Sequence, residues 1–156
     1  MTAEEFMARA VELSHEHMAS GAGGPFGAVI TRDGKIVAEG WNQVTSTNDP
    51  TAHAEIVAIR RACAAVGTFD LRGCEIFTSC EPCPMCLGAI HWARLDAVYF
   101  GNDRADAAAI GFDDELLYRE IGLPLDERAT PMHRLSAGHA RGAFDAWAAK
   151  PDKVAY

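Results

Sequence analysis

The chain has no apolar run long enough to span a bilayer, which takes about 20 consecutive apolar residues. A membrane-embedded role is therefore not expected. It is also poor in positive charge, with 14 Lys and Arg against 22 Asp and Glu and a formal net charge of −8. Arg60-Arg61 is a basic pair, but there is no basic run. Polynucleotide binding depends on clustered lysines and arginines that displace counterions. The composition thus weighs against tRNA or DNA and favours a small neutral ligand. The start, Met1-Thr2-Ala3-Glu4-Glu5, is acidic, whereas a secretory leader begins with a basic stretch and then an apolar run. A cytoplasmic location is the expectation. Cysteines number five, an odd count that argues against a disulfide framework in a reducing compartment. Internal repeats, linkers and low-complexity tracts are missing. What is there is ordinary for a globular chain: 156 residues, 49% hydrophobic and 23% charged, which predicts one compact domain over 1–156 with a sizeable core.

Hydrophobic periodicity predicts a helix over residues 2–19, with Phe6, Ala10, Leu13 and His17 near one face. Phe26–Thr31 and Lys35–Trp41 read as strands joined by Arg32-Asp33-Gly34, a hairpin signal. After a polar loop, a helix is expected over Ala52–Val66, capped by Asp49 or Thr51 and stopped by Gly67. Glu75–Thr78 and Ala97–Phe100 read as strands on either side of a helix over Met85–Ala93. The stretch 102–113 reads as loop, Asp114–Ile121 as helix, Met132–Leu135 as a fifth strand and Ala140–Lys150 as a last helix before a short tail. Strands alternating with helices imply an α/β fold, and the opening hairpin makes its sheet mixed.

Two short segments carry chemistry. His53-Ala54-Glu55 and Pro82-Cys83-Pro84-Met85-Cys86 have the histidine-x-glutamate and proline-cysteine-x-x-cysteine spacing of zinc nucleobase deaminases. Cys83 and Cys86 are three apart and share a face if the segment is helical. The prolines put them at a helix start, where unpaired N–H groups and the dipole favour thiolates. With His53 they make three ligands to Zn²⁺ and leave a position open, the catalytic arrangement; structural zinc takes four. Zinc lowers the pKa of a water it binds to about 7, and Glu55 beside it can take up and return a proton. Cys80 leaves a rival open: if it joined His53, Cys83 and Cys86, the site would be closed and structural. Cys63 and Cys74 read as small buried hydrophobes.

With these residues the chain resembles the cytidine deaminase superfamily, and within it the bacterial guanine deaminases. The resemblance runs nearly end to end. It is carried by Gly23-Gly24-Pro25-Phe26-Gly27-Ala28-Val29-Ile30, Ser46–Glu55 and Thr78–Ile90, with Gly111-Phe112-Asp113-Asp114 and the ending in Tyr156 as the discriminating pieces. It implies a three-layer α/β/α sandwich around a five-stranded mixed sheet. It implies a homodimer whose C-terminal segments (about 150–156) are exchanged, so that Tyr156 completes the partner's pocket. By position, zinc falls to His53, Cys83 and Cys86, proton transfer to Glu55, and a second acidic role to Asp114, with Asp113 able to exchange roles with it. Asn42 and the backbone near Ala54 match base-binding positions, and Phe26 and Trp92 match pocket walls. The activity implied is hydrolysis of guanine to xanthine and ammonia, with activated water attacking C2. Alternative substrates are guanosine, cytosine, an aminotriazine or adenosine in tRNA.

Overall fold

A computed structural model describes residues 1–156, the Ala137 side chain excepted. It contains two compact units, Met1–Asp114 and Glu115–Tyr156. In the first, helix α1 (Ala3–Ala19) starts at a capping box: Thr2 Oγ1 accepts from the Glu5 N–H and the Glu5 carboxylate accepts from the Thr2 N–H. Its apolar positions recur at helical spacing and bury Phe6, Ala10 and Leu13. Strands β1 (Gly27–Arg32) and β2 (Lys35–Trp41) form the expected hairpin. Asp33 and Gly34 both take positive φ, 51° and 72°, which suits the twist of a two-residue turn.

A four-residue helix α2 (Val44–Thr47) interrupts the following loop, and α3 (Ala54–Val66) ends at Gly67 in the left-handed conformation. Strand β3 (Cys74–Cys80), helix α4 (Pro84–Ala93), strand β4 (Ala97–Asn102) and a short helix α5 (Arg104–Ala109) complete the unit. The sheet order is β2-β1-β3-β4, with β1 antiparallel to both neighbours and β3 parallel to β4. Central β1 is apolar on both faces because both are covered. Ala28 and Ile30 join Ile76, Ala58 and Ile90 in a core under α3 and α4. Val29 joins Phe6, Leu13 and Phe77 under α1 on the other side. Phe77 stacks on Tyr99 at 4.6 Å and tilts against Phe6 at 5.3 Å. This is the α/β/α layering expected, with a mixed sheet.

The strand count is a correction: the sheet has four strands, not five. Residues 131–136 take no regular secondary structure and lie in no ladder, so Met132–Leu135 does not form the expected strand. Two further expectations are revised. The stretch read as loop after residue 102 contains α5. The cap of α3 is His53, because Asp49 closes a local turn instead, its Oδ1 accepting from the N–H and the hydroxyl of Thr51 at 2.8 and 2.7 Å. In the second unit, α6 (Glu115–Ile121) and α7 (Ala137–Ala149) are the helices. Among the described residues, none from 115 to 156 is buried. No helix of the chain is long and apolar enough to cross a membrane among the described residues.

Candidate metal centre and base pocket

Two helix starts converge at the end of β3. His53 is the N-cap of α3 and Cys83 the N-cap of α4, both in extended backbone, and neither side chain caps its own helix. Both turn instead toward each other. Pro84 takes the first helical position, where its missing N–H costs nothing. That leaves Cys86 in the first turn, fully buried, on the same side as Cys83.

His53 Nδ1 lies 3.6 Å from Cys83 Sγ and 3.5 Å from Cys86 Sγ, and the three donor atoms all fall within 4.8 Å of one another. A tetrahedral zinc with arms of about 2.3 Å to sulfur and about 2.05 Å to nitrogen places S and N about 3.6 Å apart. The cluster therefore has the dimensions of one face of a zinc tetrahedron, built from donors that zinc prefers. The electrostatics agree. Hydrogen bonding from Cys86, then from His53, pulls the Cys83 thiol down to about 4, while the same pairing and burial push the Cys86 thiol up. Hydrogen bonding to Cys83 raises the His53 imidazole. Cys83 is thereby favoured as the thiolate, the form in which a thiol binds a divalent cation. Cys80 stays outside. Its thiol donates to the Asp103 carbonyl at 3.8 Å, burial pushes it up to about 11, and it is no member of the converging group.

Glu55, the second residue of α3, is buried and close enough to hydrogen-bond with Cys86. Burial raises its carboxyl above the usual range, and the Cys83 charge adds to this. A carboxyl so held carries a proton more readily near neutrality than a solvated one. Asp114 is half-buried; burial raises it too, with a further push from Cys83 and an opposing pull from Arg104. Asp113 beside it is exposed.

Asn42, buried at the end of β2, is locked by its oxygen. Its Oδ1 accepts from the backbone N–H of Gly24 and of Val44, each at 3.2 Å. The amide has only its two N–H donors left to offer a ligand. Gly23 makes this possible, since a Cβ there would lie 2.2 Å from the Asn42 carbonyl oxygen and 2.4 Å from its Oδ1. Phe26 is half-buried and meets Phe112 edge-on, with centroids 4.9 Å apart and an interplanar angle of 89°. Ala54 is buried in the first turn of α3, where backbone N–H groups have no partner within the helix. Trp92 lies on α4 and is 68% exposed; Tyr156, in the second unit, is 72% exposed. Sequence reasoning passed over Gly23 and Phe112 as working residues. The signal for Phe112 was a glycine followed by an apolar residue just after an alanine run, the pattern of a helix C-terminal cap.

Comparison with known proteins agrees with this geometry. The family profile described as the cytidine and deoxycytidylate deaminase zinc-binding region matches residues 1–102. Guanine deaminase of Bacillus subtilis (strain 168) is 51% identical over 156 residues, covering 100% of both chains. An X-ray structure of guanine deaminase from Bacillus subtilis superposes with a TM-score of 0.98 at 51% identity, over 100% of this chain and 99% of that one. The tRNA-specific adenosine deaminase of Agrobacterium fabrum (strain C58 / ATCC 33970) is 42% identical over 86 residues, which is 55% of this chain and 57% of that protein.

Proposed function

Because this chain belongs to the cytidine and deoxycytidylate deaminase family, we propose that it hydrolyses guanine to xanthine and ammonia at a zinc ion held by His53, Cys83 and Cys86. The observation that carries this is the single-ion donor cluster with Glu55 buried beside it. When bound, zinc supplies the Lewis acidity that makes water a nucleophile near neutral pH. The chain's own residues do the rest. Glu55 takes one proton from the attacking water and passes it to a ring nitrogen as the C2–O bond forms. It then takes the second proton from the new hydroxyl and hands it to the 2-amino group, so that the C2–N bond breaks, ammonia departs and the carbonyl of xanthine forms. Its raised carboxyl suits both directions of transfer.

Recognition follows from which groups remain free to bond. Asn42, with its oxygen occupied, offers donors only, and guanine meets them with two adjacent acceptors, its 6-oxo group and N7. Adenine presents an amino group there and would set donor against donor. The N–H of Ala54 adds a further donor. Asp114 accepts from the N–H groups on guanine's opposite edge, and Phe26 offers a flat face to the base. Two chains pair and exchange C-terminal segments, so that Tyr156, with Trp92 as a further wall, closes the partner's pocket. What supports this pairing is the second unit itself. It carries Leu135 82% exposed and Phe144 79% exposed and has no buried residue among those described, so its apolar side chains call for a covering surface. The cytoplasm is its place of action.

The test is ammonia release from a panel of guanine, guanosine, adenine, cytosine and folded tRNA by zinc-loaded protein. Guanine should turn over. Release from tRNA alone, falling steeply with salt, would reject the free-base reading.

A further inference from the structure

We propose that Phe112 is the positioning residue that holds Asp114 at the site, by docking the loop that carries it against Phe26. The proposal rests on the role given above to Asp114. Helix α5 is short and fixed at both ends. It starts with a capping box in which Asp103 Oδ1 accepts from the Asp106 N–H at 2.9 Å and Asp106 Oδ2 accepts from the Asp103 N–H at 3.0 Å. It ends at Gly111, whose φ of 94° is open to glycine and strained for other residues. The N–H of Gly111 bonds the Ala108 carbonyl and that of Phe112 bonds the Ala107 carbonyl, both at 3.0 Å. These two bonds are the paired closure of a Schellman cap, and they set Phe112 at the position whose side chain makes an apolar contact.

In most such caps the contact returns to the helix that has ended. Here it reaches across to the Gly24–Phe26 segment. The Phe112 ring meets Phe26 edge-on at 4.9 Å, and a Cβ at Gly24 would stand 3.2 Å from the Phe26 ring and 3.3 Å from Phe112 Cζ. Phe112 remains 46% exposed, so burial alone gives it modest value. What the contact does is tie residues 111–114 to the strand start that also holds Asn42 through Gly24. Two residues beyond Phe112, on the same loop, stands the half-buried Asp114. One ring contact thus sets the distance between the two polar groups assigned to opposite edges of the base.

The test is a double-mutant cycle on guanine turnover with zinc content measured in every variant. Phe112→Ala should lower kcat/KM by about 10- to 100-fold, the scale of a group displaced by about 1 Å, with one zinc per chain retained. Phe112→Tyr, which keeps the ring edge, should restore activity to within about threefold. In the Asp114→Ala background, Phe112→Ala should add less than about threefold, because the residue it positions is gone. Amide hydrogen exchange at 111–114 should quicken in Phe112→Ala and not in Asp114→Ala. If Phe112→Ala proves unstable, Phe112→Leu carries the same cycle with a smaller change. Losses that multiply in the double variant would overturn the proposal while leaving the role of Asp114 standing. Asp114→Ala with undiminished guanine turnover would overturn both.

Discussion

Substitution of Gly23 by alanine offers a sharp separation of metal binding from base recognition. The added Cβ would approach the Asn42 carbonyl oxygen to 2.2 Å and its Oδ1 to 2.4 Å. Both distances are more than about 1 Å short of ordinary non-bonded contact. Two backbone hydrogen bonds to Oδ1 hold the amide against small rotations, so relief requires moving Asn42 or the Gly23–Gly24 backbone. A displacement of about 1 Å in a substrate-positioning group costs on the order of 100-fold in rate, and forced overpacking costs about 1–3 kcal/mol of stability. The three atoms nearest the new methyl group all belong to Asn42, none to His53, Cys83 or Cys86. The variant should therefore bind one zinc per chain and unfold at a moderately lower temperature. Its kcat/KM for guanine, followed by ammonia release, should fall by about two orders of magnitude. A kcat/KM within about threefold of the parent would refute the assignment of Asn42 as a fixed donor. Loss of zinc would show that the glycine supports the metal centre instead.

Glu55→Gln keeps the shape of the buried side chain and removes its proton transfer, so zinc should remain while turnover falls by at least about 100-fold. Zinc analysis beside an ammonia assay decides it, and retained activity would exclude Glu55 as the proton carrier. Phe77→Ala opens a cavity between Phe6 and Tyr99 and should cost about 3–5 kcal/mol, read as a drop in Tm on the order of 10 °C. Glu39 accepts from Arg9 Nε and Nη2 at 2.7 and 3.1 Å, and this bonding lowers its carboxyl below the usual range. A lowered native pKa adds stability above the unfolded pKa, and that stability is lost as pH falls through the native value. Glu39→Gln should therefore cost about 1 kcal/mol at pH 7 and progressively less as pH falls below the usual carboxylate range through the lowered native value, as denaturant midpoints across an acid pH series would reveal.

The metal centre was legible because its ligands come in two short segments whose spacing survives folding. His53 and Cys83 are each the N-cap of a helix, and Cys86 lies in the first turn of the second, so two helix starts place three donor atoms. The hairpin was legible for the same reason, its register being set by the Asp33-Gly34 turn. What escaped depends on partners distant in the chain. Met132–Leu135 is four residues with an apolar residue at each end, too short a run for periodicity to decide, and a ladder needs a neighbouring strand that it does not have. Helix α5 is six residues long, too short for periodicity, although Asp103 and Asp106 mark its start. The lock on Asn42 joins residues 18 apart, and the ring contact of Phe112 crosses to Phe26; neither spacing has a local signature. Asp113 and Asp114 were equivalent as letters, and their difference in exposure, Asp113 exposed and Asp114 half-buried, arises only from folding.

The central claim is that one ion on three side chains powers guanine hydrolysis. Its most direct measurement is ammonia release from guanine by chelator-stripped protein as zinc is added back. Activity should rise in proportion to zinc and level off at one equivalent per chain. Full turnover by the stripped protein, or one tightly bound zinc with no ammonia from guanine, would contradict it.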